Sequence, residues 1–175
     1  DTLNGQPVTA GNITGLVVTP AQPAQPGKPV PALDPATGVV TVPAGTPAGN
    51  YNITYQICEQ INLGNCKQAQ ITVPVDAGTI KANDETGSAP SIGGTAISNV
   101  YANDALKGAM VNLAEITPTV TAPATPQGPG APVPVVNPAA GVVTVPAGTP
   151  VGTYTIGYQI CGKLNTSNCS SAIAT

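Results

Sequence analysis

Tyr51-Asn-Ile-Thr-Tyr-Gln-Ile-Cys58 is followed, after seven intervening residues, by Cys66, and the arrangement returns 103 residues later as Tyr154-Thr-Ile-Gly-Tyr-Gln-Ile-Cys161 with Cys169. Along Tyr51–Ile57 the apolar Tyr and Ile alternate with Asn, Thr and Gln. A period of two predicts a strand with one buried face. The repetition extends well beyond this stretch. Gly38-Val-Val-Thr-Val-Pro-Ala-Gly-Thr-Pro47 recurs letter for letter at Gly141–Pro150, Asn65-Cys66 recurs at Asn168-Cys169, and Asp1-Thr-Leu-Asn-Gly5 matches Asp104-Ala-Leu-Lys-Gly108. Laying residues 1–72 over 104–175 without a gap gives 39 identities in 72 positions. A period this long exceeds a solenoid coil and suits a whole β-sandwich, so a duplicated domain is expected.

Composition supports an all-β chain with many turns. The 175 residues include 20 Gly and 20 Pro, which leave no room for long helices. Hydrophobic residues make up 41% and charged residues only 7%, the reverse of the disordered pattern. Phe and Trp are absent, and the apolar set of Val, Ile, Ala and Leu with five Tyr fits pleated surfaces. The five basic residues are all lysine and the net charge is −3, so the basic stripe of a nucleic-acid binder is missing. No apolar run is long enough to span a membrane as a helix.

Strands are expected over Asn12–Thr19, Val39–Val42, Asn50–Cys58 and Lys67–Val75, and again over Glu115–Ala122, Val142–Val145, Thr153–Cys161 and Ser170–Thr175. The second copy adds one near Ala96–Ala102. The Pro-rich stretches 20–35 and 123–138 read as loops or edge segments. The fold class is thus all-β, in tandem Ig-like β-sandwich repeats. Residues 1–75 form one repeat lacking its N-terminal strands, 76–92 a linker rich in Gly, Ser, Asp and Asn, and 93–175 a second repeat lacking part of its last strand. The chain reads as an internal fragment, with no leader pattern at its start.

Two motifs carry a family resemblance. Asn99-Val-Tyr-Ala-Asn-Asp104 resembles the N-V-L-A-N-D signature of bacterial Ig-like and cadherin-like repeats in giant secreted surface adhesins. Pro43-Ala-Gly-Thr-Pro-Ala-Gly-Asn-Tyr51, running on to Tyr55, and its copy Pro146–Tyr158 resemble the opening of a strand in bacterial putative-Ig domains. The resemblance covers essentially the whole chain. It implies the sandwich fold and a role as spacer, adhesive tip or fibre subunit.

The four cysteines form two Cys-x7-Cys pairs, Cys58 with Cys66 and Cys161 with Cys169, each at the inner ends of two expected strands. A hairpin brings opposed Cβ atoms to the distance a disulfide needs. Free thiols or zinc are the alternatives, and zinc would want closer spacing and usually His, of which there is none. A disulfide implies an oxidising, extracellular compartment. Asp76, Asn83, Asp84, Glu85, Asn103 and Asp104 gather oxygen ligands near the repeat boundary, a possible calcium set where cadherin-like arrays hold that ion. The bland alternative is that Asp and Asn serve turns there.

No catalytic residues are expected. Without His the usual base for a Ser or Cys nucleophile is missing, and no phosphate-binding loop is present. Tyr51, Tyr55, Tyr101, Tyr154 and Tyr158 read as core and corner residues, with a sugar-binding stripe as the alternative. The expected role is a non-enzymatic structural repeat of a bacterial cell-surface fibre or adhesin, a stalk or self-assembling filament unit. The alternatives are an adhesive module for a glycan, receptor or surface, and a surface-layer or sheath subunit. Expected partners are neighbouring repeats and identical chains, joined laterally or by strand exchange.

Overall fold

The computed structural model describes residues 1–175, all in strands, turns and loops, and divides into two compact units, Asp1–Ala77 and Gly78–Thr175. The first unit holds β1 (Thr2–Leu3), β2 (Gln6–Pro7), β3 (Ile13–Thr19), β4 (Ala32–Leu33), β5 (Val40–Thr41), β6 (Gly49–Glu59) and β7 (Cys66–Val75). The second holds β8 (Ile80–Lys81), β9 (Gly94–Ile97), β10 (Ala105–Leu106), β11 (Ala109–Met110), β12 (Ile116–Ala122), β13 (Val135–Asn137), β14 (Val142–Val145), β15 (Ile156–Gly162) and β16 (Cys169–Ala174).

In each unit the long alternating strand is the middle of an antiparallel sheet, in the order β3-β6-β7 and β12-β15-β16. Strand β15 shows why. Its Ile156, Tyr158 and Ile160 are buried, while Gly157, Gln159 and Cys161 between them are half-buried. Pairing along both edges satisfies the backbone, and alternation sends one set of side chains to the core. Both outer partners carry the same irregularity, a register shift between Val17 and Thr19 in β3 and between Val120 and Ala122 in β12.

In the second unit a second sheet, β13-β14-β9, contributes Ile97 and Val143 to the core formed with Ile116, Ile156, Tyr158 and Ile160. A small third sheet joins β11, β10 and β8. Two sheets facing across one apolar layer make an Ig-like sandwich. The first unit repeats the plan with fewer parts: β4 pairs only with β5, and β1 only with β2. Counterparts of β8 and β9 are absent from it. Its fully buried apolar core is accordingly Ala21, Tyr51 and Ile53, against 11 buried residues in the second unit.

Two readings of the sequence change. Most of the segment 76–92 is not a connector, because from Gly78 onward it is built into the second unit. There β8 pairs with β10, and Glu85 bridges to Ala174 alongside β16. Gly and Asn in that segment supply turns and close approaches, as where Gly87 leaves no space for a Cβ beside the Ala96 carbonyl. The strand placed near Ala96–Ala102 ends at Ile97, and Asn99–Asn103 form turns. Asn99 Oδ1 accepts the Tyr101 amide at 2.9 Å, and such a side-chain bond competes with continuation of a strand.

The difference in packing is testable with one pair of variants. Ile160 is fully buried, whereas its counterpart Ile57 is half-buried. Ile160→Ala is expected to destabilise the second unit by about 2–5 kcal/mol, and Ile57→Ala to cost the first unit clearly less. Urea unfolding of both variants measures this, and equal losses would contradict the packing described.

Candidate functional site

The cysteines face each other where the hairpins demand it. Cys58 pairs with Cys66 and Cys161 with Cys169 in strand register, each pair is joined as a disulfide, and the Cα atoms stand 4.1 Å apart in both. Beyond the staple, Glu59 N donates to Asn65 O and Gly162 N to Asn168 O, both at 3.0 Å, so the two tips close alike. No cysteine is free. A loop of this size removes roughly 2–3 kcal/mol worth of unfolded-chain entropy.

The tyrosines act as core residues with tethered hydroxyls. Tyr51 Oη donates to Pro47 O at 2.8 Å and Tyr154 Oη to Pro150 O at 2.9 Å, a corner made identically in both units. Tyr101 donates to Pro138 O at 2.9 Å, and its ring meets Tyr158 edge-on with centroids 5.8 Å apart. Such an edge-to-face pair is favourable beyond its burial.

Of the six residues considered for calcium, five come together in the second unit; Asp76 belongs to the first. Asp104 is 1% exposed, and its Oδ1 accepts the Asn83 amide at 2.8 Å. Asn83 Nδ2 donates to Asn103 O at 2.6 Å, and Asn103 Nδ2 to Asp84 O at 3.3 Å. Asp84 Oδ1 accepts the Ile173 amide at 2.9 Å, while Glu85 N donates to Ile173 O at 3.0 Å and Thr175 N to Glu85 O at 2.9 Å. These groups tie the segment after β8 to β16 and to the Asn99–Asp104 turns. No group of three or more carboxylates or cysteines stands in position to hold a metal ion. Asp84 Oδ1 and Asp104 Oδ1 each accept a backbone amide within the unit.

Tyr158 Oη lies 2.9 Å from both Asn83 O and Val100 O and 3.4 Å from both carboxylate oxygens of Asp104. Its single proton therefore serves a ring of acceptors. Burial raises the Asp104 pKa above the ordinary carboxylate value, partly offset by the Asn83 amide and the Tyr158 hydroxyl. Burial, then the Asp104 charge, pushes Tyr101 up to about 12 and raises Tyr158 as well.

The same positions in the first unit look different. Tyr55, the counterpart of Tyr158, is half-buried and donates to Asp1 Oδ2 at 2.8 Å on the surface. Beside it opens a groove of about 740 Å³, lined by Val8, Ile13, Leu33, Gly38, Tyr55 and Ile57 among others. Sequence reasoning missed this groove. The second unit has a cleft of about 330 Å³ bordered by Ser88, Thr149, Val151 and Tyr154, which neither carboxylate nor lysine lines.

No family model matches the chain. No curated protein matches it either. Among solved structures, human CDH23 EC21-23 is similar over 93% of this chain and 50% of that one, with 16% identity and a TM-score of 0.33. An endo-fucoidan hydrolase from glycoside hydrolase family 107 is similar over 93% of this chain and 23% of that one, with 13% identity and a TM-score of 0.28. The chain thus spans half the length of the first and under a quarter of the second. Likeness this distant says nothing of activity, ligand or partner.

Two outcomes follow from the titrating core and the staple. Between the ordinary aspartate pKa and the raised value of Asp104, the native state keeps a proton that the unfolded chain releases. Stability of the second unit should therefore fall as pH rises through that window, and Asp104→Asn should flatten the fall; thermal unfolding from pH 3 to about 7 reads both. Replacing Cys161 and Cys169 together by Ala should cost the second unit about 2–3 kcal/mol in urea unfolding, and no loss would show that the staple adds nothing.

Proposed function

We infer that this chain is a structural repeat of a secreted or cell-surface fibre or adhesin, of the kind met in bacterial Ig-like and cadherin-like arrays, acting as a stalk or filament unit. One observation carries the reading: the same sandwich, closed at the same hairpin by the same disulfide, occurs twice in tandem with 39 of 72 positions identical. Duplication with the core and staple retained, and with low charge throughout, suits a part whose use lies in being repeated. Disulfides belong to oxidising compartments, which supports a location outside the cytoplasm. The positions identical in the two copies include the corner tyrosines, the cysteines and the Pro-Ala-Gly-Thr-Pro turns.

Force spectroscopy on the chain tests this. Each unit should unfold in its own event and refold on release. Reduction should lengthen each unit's extension by about 2.5 nm, the reach of the residues the staple hides. A single unfolding event for the whole chain, or saturable binding of a glycan in an array that unfolding of either unit abolishes, would overturn the stalk reading in favour of a globular binder.

A further inference from the structure

Near the start of the second unit a short segment runs beside its last strand in the same direction. Glu85 bridges to Ala174 as a parallel pair, whereas the named strand pairs of this unit are all antiparallel. Glu85 N donates to Ile173 O at 3.0 Å, Thr175 N to Glu85 O at 2.9 Å, and Gly87 N to Thr175 O at 2.9 Å. This is the evenly spaced ladder of parallel strands. One rung is made differently. In a continued ladder Ile173 N would donate to Asn83 O, but that carbonyl accepts the Tyr158 hydroxyl at 2.9 Å. Asp84 Oδ1 takes its place and accepts the Ile173 amide at 2.9 Å. The N–H and C=O of Ile173 and of Thr175 are thus all engaged by Asp84–Gly87.

Direction decides how such a pairing yields to tension. The chain enters the ladder at Asp84, and Thr175 lies at the ladder's opposite end. Pulling the unit by its two ends therefore drives the segments past each other, and the four bonds must stretch together. An antiparallel terminal pair would bring both pulled ends to one side and open bond by bond. The entry end is also anchored. Asn83 N donates to the buried Asp104 Oδ1 at 2.8 Å, Asn83 Nδ2 to Asn103 O at 2.6 Å, and Asn103 Nδ2 to Asp84 O at 3.3 Å.

We propose that Asp84–Gly87 with Ile173–Thr175 is the force-bearing clasp of the module, a parallel pairing loaded in shear that must break before tension reaches the sandwich core. Asp84 supplies with its side chain the rung that the backbone cannot, and Asn83, Asn103 and Asp104 hold the clasp at its entry. The proposal rests on the stalk reading and deepens it by naming where in the module the load is borne.

The test is single-molecule pulling on the whole chain in two geometries. Tethers at the two chain ends load the clasp in shear, and the second unit's event is recognised by its longer extension, since that unit has the longer chain. In the other geometry the first tether is moved to Ile92, which is 82% exposed, through an azide-bearing side chain. Ile92 follows Gly87, so the same bonds then open one at a time from the Thr175 end. The unfolding force should fall to about half or less. Asp84→Ala should raise the second unit's unfolding rate about fivefold at a fixed end-to-end force. Asp84→Asn keeps an Oδ1 acceptor and should restore most of the loss. Under the Ile92 tether Asp84→Ala should leave the peak force unchanged, because its rung breaks last there, a distinction that a general loss of stability does not produce. Equal forces in the two geometries, an Asp84→Ala effect alike in both, or release of residues 78–90 at low force ahead of the main event would each overturn the clasp and leave the stalk reading standing. One unfolding event for both units under end-to-end load would instead remove the stalk reading and the clasp with it.

Discussion

A strand paired on both edges and buried on one face has no freedom of register. In β6 and β15 a slip of one residue would send Tyr and Ile to solvent and bring Asn, Thr or Gln into the core. That constraint organises everything around it. The hairpin partner must begin opposite the last strand residue, where the cysteines stand. The hydroxyls of Tyr51, Tyr154 and Tyr158 must each find an acceptor, and they find the proline carbonyls of the preceding turn or the ring of carbonyls around Tyr158. Burying Asp104 beside that hydroxyl is tolerable because the Asn83 amide meets it.

Much of this was legible in the residues. The long alternating stretches are strands within a residue or two of their expected ends, apart from the Thr153 start, because pattern and β-propensity agree there. The cysteine pairing followed from hairpin geometry. What could not be read were the two-residue strands such as Ile80–Lys81 and Ala105–Leu106, which carry no period and exist only because a partner edge lies beside them. Residues 78–92 looked like a connector because Gly, Asn and Ser dominate; tertiary bonds to β16 and to Asp104 give them their place. The strand expected near Ala96–Ala102 stops at Ile97, because Asn99 caps its own turn.

The near-identity of the two copies makes them a natural comparison. Gly38 and Gly141 have the same neighbours in sequence and the same φ, and only one has a ring against it. Tyr55 and Tyr158 sit in the same tetrapeptide, and only one is sealed from water. Burial here is a property of what lies across from a residue. A sequence window around either tyrosine holds no information on it.

The staple joins residues eight apart, whereas the sheet partner β3 meets β6 across more than thirty residues of chain. Closing so small a loop sacrifices little chain entropy, and closing the larger one sacrifices more. Oxidation of the cysteines therefore need not wait for the finished sandwich. A polypeptide emerging unfolded into an oxidising space can acquire the crosslink first and begin its search for structure with two strands already aligned. Order of events, as much as final stability, is what a bridge at a hairpin tip confers on a chain that folds where thiols are oxidised.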